Sequence, residues 1–278
     1  MLARLLLPCI VLLAALGFSR GVLAQTRLFT DSYQHESCDK AIVKSVGDHF
    51  ELDHFPDRLV ANECKPWPTD KSRMIAAFAY DIDEVYNNSI KAMGFRYVLL
   101  VLALLDTQNK KIISSYKTRI QEDTKSSLMI DTARYRLSKT TRAFALRLNN
   151  HRYVCVTNGV PVEGLTLFII SGKELRPVLS QTMSRQWRFG AICGEGGDIM
   201  KVTADIFIAV EKTSTNGFAD LRFLVKSDAK KKPPSMVVKY DDDGKSYDIT
   251  AWDEAFDVWW RSVLDSMRAE AAQPQAKP

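Results

Sequence analysis

The chain has 278 residues, 46% of them hydrophobic and 26% charged, with a formal net charge of +5. Acids and bases are interspersed, and the single dense basic run is Lys230-Lys231-Lys232, so the clustered basic face of a nucleic-acid binder is not expected. The length suits one large domain or two small ones.

Met1 to Ala24 has the form of an export signal. Arg4 precedes an apolar run from Leu5 to Phe18, and Val22-Leu23-Ala24 supplies a small-residue cleavage site. Ser19, Arg20 and Gly21 end the run before the roughly 20 apolar residues that a membrane-spanning helix needs. Cys9 lies inside the run, whereas the cysteine of a lipoprotein follows it. The expected product is a soluble periplasmic protein, neither lipid-anchored nor stably inserted in the membrane after cleavage. Loss of Met1–Ala24, which carry Arg4 and Arg20, leaves 254 residues and lowers the net charge from +5 to +3.

Four cysteines then remain: Cys38, Cys64, Cys155 and Cys193. An even number in an oxidising compartment reads as disulfides. Three pairings are open, and proximity in sequence favours Cys38 with Cys64 and Cys155 with Cys193. The absence of a CxxC spacing argues against a zinc site.

In chain order, Pro66-Trp67-Pro68 followed by Thr69 or Asp70 resembles a helix start. The alternation of Met74, Ala76, Phe78 and Tyr80 instead predicts a strand through Tyr80, with a loop or helical turn after it. Phe95 to Leu105 holds nine apolar residues in a row from Tyr97, then Asp106 to Lys110 supplies turn chemistry before Lys111 to Lys117. This is a hairpin whose first strand is buried on both faces. Further short strands are expected at Ser127–Asp131, Ala143–Leu148, Leu165–Ile170 and Leu175–Leu179. Val202–Val210 and Ala219–Val225 form a hairpin about Asn216-Gly217. Met236–Tyr240 and Tyr247–Ile249 flank an aspartate-glycine turn at Asp241 to Lys245, whose acids lack the alternate spacing of a calcium loop.

The last element is a helix, with Thr250 as cap and Asp253 completing a capping box. Trp252, Phe256, Trp259, Trp260, Val263 and Met267 recur at helical spacing. That face either covers the sheet or, through Trp252, Phe256, Trp259 and Trp260, docks a partner. The fold class expected is α+β, mainly antiparallel β in sandwich or open barrel-like sheets, with a C-terminal amphipathic helix. Residues 1–24 are read as the signal, 25–268 as the β-rich region and 269–278 (AEAAQPQAKP) as a disordered tail.

Four stretches carry a resemblance: Cys64 to Asp81 (CKPWPTDKSRMIAAFAYD), Asp131 to Leu148 (DTARYRLSKTTRAFALRL), Leu175 to Leu179 (LRPVL) and Gly217 to Phe223 (GFADLRF). In these the chain resembles an uncharacterised family of secreted, periplasmic proteins of Gram-negative bacteria. The resemblance implies the periplasmic setting that the signal also implies. It transfers no activity and no catalytic residue.

Catalytic motifs are missing: the chain has no G-x-S-x-G elbow, no H-E-x-x-H, no P-loop and no dinucleotide fingerprint, and no cofactor is expected. His49, Asp53 and His54 cluster in DHFELDHF and form a weak metal candidate, since their separation matches no recognised ligand spacing. Arg134 and Arg136 would share one face of an extended segment, with Arg142 following the turn. Guanidinium groups held together in that way bind a carboxylate or phosphate, so the three arginines are candidates for an anion or partner site. The leading expectation is a non-enzymatic periplasmic binding protein engaging another exported protein, in the class that includes inhibitors and immunity factors. A metal-assisted envelope hydrolase and a structural module of an envelope assembly are the alternatives.

Overall fold

The computed structural model describes residues 37–52, 55–82, 95–123, 127–149, 160–189 and 200–271. Among them the chain forms α1 (Lys40–Phe50), β1 (Leu59–Trp67), β2 (Asp70–Asp81), β3 (Phe95–Asp106), β4 (Ile112–Asp123), β5 (Ser127–Asp131) and β6 (Phe144–Asn149). It continues through β7 (Val160–Ser171), β8 (Glu174–Phe189), β9 (Met200–Thr215), β10 (Phe218–Ser227), β11 (Ser235–Asp241), β12 (Ser246–Asp248) and α2 (Thr250–Ala271). The expected α+β class, mainly antiparallel with a C-terminal helix, is the one observed.

Strands β1-β2-β3-β4 form an antiparallel run that meets β8 through a single parallel bridge, Ser115 with Glu174. Long β8 then serves two neighbours. Its first part pairs with β7, which continues to β6 and β5, and its last part pairs with β9, which continues to β10, β11 and β12. The sheet does not close. At the β1–β5 gap, side chains stand in for a ladder: the Ile130 amide donates to Glu63 Oε2 (2.6 Å), and Lys65 Nζ donates to the Ile130 carbonyl (3.0 Å).

Three apolar cores lie in sequence across the molecule, and the period of two in the strands assigns residues to them. In β3, Val98, Leu100, Leu102 and Leu104 face the central core, while Val101, Ala103 and Leu105 face the core beneath α1. In β6 and β7, Phe144, Leu146 and Phe168 face the central core, while Ala145, Leu165 and Leu167 face the core beneath α2. The both-faces-buried reading of the run after Tyr97 therefore holds.

The element from Asp70 is a strand, and Trp67 to Asp70 is the hairpin turn from β1, so the proline-flanked segment does not start a helix. Extended pairing on both sides of β2 outweighs the local cap signal. Helix α1 has no counterpart in the sequence reading. Asp39 caps it by accepting from Ile42 N (2.8 Å), and Ile42 and Val46 form its short buried stripe. At Gly47 an added Cβ would lie 3.0 Å from Phe55 Cδ1, so glycine is what lets the helix seat there.

Two corrections concern α2. Its first residue is Thr250, and the cap is supplied by Asp248, whose Oδ1 accepts from Thr250 N (3.0 Å). Asp253 turns to Gln181: in the orientation that satisfies both groups, the Gln181 amide donates to Asp253 Oδ1 (3.3 Å) and accepts from Trp252 Nε1 (2.9 Å). The helix also runs through Ala269, Glu270 and Ala271, into the segment expected to be disordered. Alanine and glutamate favour helix, and the first proline comes only at Pro274. Residues 272–278 lie outside the described residues. No helix among the described residues is long and apolar enough to cross a membrane.

Candidate functional site: a basic cleft between two hairpin tips

The site grows out of two turns that are far apart in sequence. The first lies between Tyr135 and Ala143: Ala143 N donates to Tyr135 O (2.8 Å), Leu137 N donates to Thr141 O (3.0 Å), and Arg136 and Arg142 form an isolated bridge. At its tip, Ser138 Oγ accepts from the amides of Thr140 (3.2 Å) and Thr141 (2.9 Å), a serine turn that presents Lys139 and Thr140 outward. The second is the β9–β10 hairpin. Asn216 (φ +51°) and Gly217 (φ +79°) supply the paired left-handed residues that a two-residue hairpin requires, and Asn216 Nδ2 donates to Tyr240 O (3.1 Å).

Ala219 N donates to Leu137 O (2.6 Å), which ties the two turns together. Between them lies an open cleft of about 750 Å³, lined by Arg136, Lys139 and Lys212 together with Ser138, Thr140, Thr213 and Ser214. No carboxylate lines it. Nearby acids face other partners: Glu211 pairs with Arg222, and Asp220 Oδ1 accepts from Thr215 Oγ1 (2.7 Å).

Two further cations border this wall. Arg134 and Arg136 are both exposed and flank buried Tyr135, so the expectation that they share a face holds. The segment is not a laddered strand, because Tyr135 N and Arg136 N bond back to Ala133 O (2.8 Å) and Arg134 O (2.9 Å). Arg142 Nη2 donates to Thr132 O (3.1 Å). Partial burial, and then the positive charges of Arg136 and Arg134, push the Arg142 pKa below the ordinary arginine value. The three arginines named from sequence thus lie close enough for their charges to act on one another.

Lys139 and Lys212 were not singled out from sequence. No linear signal could pair them, since the fold alone brings residue 212 beside residue 139. Arg147 and Glu163 were also missed, although an arginine within the apolar run Phe144 to Leu148 was a visible anomaly. Arg147 is only 5% exposed and is held by Asp131 (Nε to Oδ2, 2.8 Å) and by Glu163. Tyr135 Oη also donates to Asp131 Oδ2 (3.0 Å), and burial, before the nearby Asp131 charge, pushes the Tyr135 pKa upward.

The other candidates are placed differently. Trp252, Phe256, Trp259 and Trp260 are all buried, with Trp252 stacked on Phe223 at 5.0 Å between ring centroids, so they close the core and are not a partner-docking face. An amphipathic helix buries its stripe in its own chain where a sheet face is open to receive it. His49 is exposed at the end of α1, with Nε2 3.5 Å from Ser115 Oγ. Asp53 and His54 lie outside the described residues, among which no group of three His, Cys, Asp or Glu side chains is placed to hold a metal. Cys38 and Cys64 form a disulfide with Cα atoms 4.9 Å apart. Cys155 and Cys193 lie outside the described residues. The three aspartates at 241–243 build a turn: Asp241 accepts from Asp243 N (3.2 Å) and Gly244 N (2.9 Å).

The fold and cleft together define an antiparallel β protein with a basic surface site. No protein family, no curated protein and no solved structure matches the chain.

Proposed function

We propose that this chain is a non-enzymatic binding protein of the periplasm that engages another exported protein by seating an acidic surface of that protein in the basic cleft. Inhibitors and immunity factors belong to this class. The reading is carried by one observation: Arg136, Lys139 and Lys212 converge with four hydroxyl side chains in a cleft without a carboxylate. Cations and hydroxyl donors of this kind hold carboxylate groups through charge-assisted hydrogen bonds. The export signal and the Cys38–Cys64 bridge support the compartment, as does the resemblance to secreted proteins of Gram-negative bacteria.

The test compares the wild-type protein with Arg136→Ala/Lys212→Ala as baits in periplasmic extract under non-reducing conditions. A partner with an acidic surface should be retained by the wild type and lost from the variant. Its affinity for the purified wild type should fall by about 10-fold or more in the variant, as expected for hydrogen bonds to charged groups. Affinity should also fall steadily with salt. Equal retention by both baits, or affinity indifferent to salt, would sink the proposal.

A further inference from the structure

The segment that carries Arg134 and Arg136 belongs to no strand. Between Asp131 and Phe144 its one bridge among the described residues is that of Arg136 with Arg142, flanked by the Leu137 N to Thr141 O and Ala143 N to Tyr135 O bonds. Two turns one residue wide, at Ala133–Tyr135 and Arg134–Arg136, carry the chain up to that bridge, and two side chains anchor it in the core. Those side chains are Tyr135, 2% exposed, and Leu137, fully buried, both in the core beneath α2.

Beneath the segment lies the charged cluster of Arg147, Asp131 and Glu163. Asp131 serves the segment directly: Oδ1 accepts from Ala133 N (2.9 Å), and Oδ2 accepts from Tyr135 Oη (3.0 Å) and Arg147 Nε (2.8 Å). Arg147 Nη1 is in turn held by Glu163 from β7. A buried ion cluster is a weak source of stability compared with apolar packing, and its better-attested use is to specify one arrangement.

We infer that the Tyr135–Asp131–Arg147–Glu163 cluster is the positioning device of the basic cleft. It fixes the chain from Asp131 to Leu137 so that Arg134 and Arg136 stay on the solvent side. Through the Leu137 carbonyl it seats this turn against the β9–β10 hairpin. Asp131 and Tyr135 are positioning residues and do not themselves touch the partner. The inference rests on the reading of the cleft as an anion-binding site.

The experiment uses a fluorescein-labelled ten-residue glutamate peptide as probe, titrated against purified wild-type protein, Tyr135→Phe, Asp131→Asn and Arg136→Ala. Tyr135→Phe keeps the ring in the core and removes only the hydroxyl. It should keep its melting temperature within a few degrees and bind the probe about 5-fold more weakly, the effect of one lost hydrogen bond. Asp131→Asn should lose more, and both variants should show a shallower dependence of log affinity on log salt, because Arg136 is no longer held in place. A role confined to stability would leave that slope unchanged. Folded Tyr135→Phe with wild-type affinity and slope, alongside weakened Arg136→Ala, overturns the positioning role and leaves the cleft reading intact. Wild-type binding by Arg136→Ala, or no binding by the wild type, overturns both. Should Asp131→Asn fail to fold, Tyr135→Phe decides.

Discussion

The two helices among the described residues do the same task over separate cores by different physical means. α2 spans 22 residues and buries Trp252, Phe256, Trp259, Trp260 and Val263 against the sheet. Arg185 links it to β8 by an ion pair with Asp257 (2.7 Å) and lies over the Phe256 ring (5.0 Å). α1 has half that length, and its buried residues are Ile42, Val46 and Gly47. Its covalent tie is the Cys38–Cys64 bridge to β1, reinforced by Cys38 N donating to Asn62 Oδ1 (2.8 Å). Area holds one cover and a cross-link holds the other, as is expected where a short helix cannot bury enough apolar surface to offset its ordering.

The largest effect should come from the end held by area. Trp252→Ala removes a fully buried indole stacked on Phe223 and leaves Gln181 without the Trp252 Nε1 donor. Stability should fall by about 3–5 kcal/mol, read from the denaturant midpoint, as for other aromatic deletions in cores. A loss under about 1 kcal/mol would mean that α2 is not what closes its core.

Removing the cross-link tests the other end. Cys38→Ala/Cys64→Ala frees a loop with a sequence separation of 26, which the chain-entropy model values at about 3–4 kcal/mol. Hydrogen exchange should speed up first in Lys40 to Phe50, with α2 still protected. Equal acceleration in both helices would erase the distinction between them.

The smallest effect concerns the start of α2. The Thr250 amide, and then the Thr250 side chain, hold the Asp248 carboxyl below the usual carboxylate range. A group depressed in the native state stabilises above its unfolded pKa of about 3.9 and loses that contribution as pH falls through the lower native value. Asp248→Ala should therefore lower the melting temperature slightly at pH 7, and the two proteins should converge in acid. A difference that persists in acid would assign the cap to something other than the charged Asp248.

How much was legible follows from the range of each signal. Alternation along β3 and β6, the Asn216-Gly217 turn and the aromatic period of α2 are written in neighbouring residues, and those elements emerged close to where they stand. α1 carries a weak local signal because Ile42, Val43 and Val46 make only a brief apolar stripe. The cap moved from Thr250 to Asp248 because a side chain two residues before the first turn reaches its amide as readily. Arg134, Arg136 and Arg142 could be read as a group because they lie within nine residues of one another. Lys212 could not join them.

The sequence by itself determined the local periods, the turn residues and the class of the fold, and it favoured the Cys38–Cys64 pairing that the structure contains. Each depends on contacts within or between adjacent segments, where spacing along the chain is enough. Only the tertiary structure decided that the aromatic face of α2 is core and that the arginine turn meets the β9–β10 hairpin. It also decided that Arg147 is the buried counter-charge of Asp131 and Glu163. Those outcomes depend on which faces the strand order of the sheet leaves open, and on residues brought together across long stretches of chain, which no local pattern encodes.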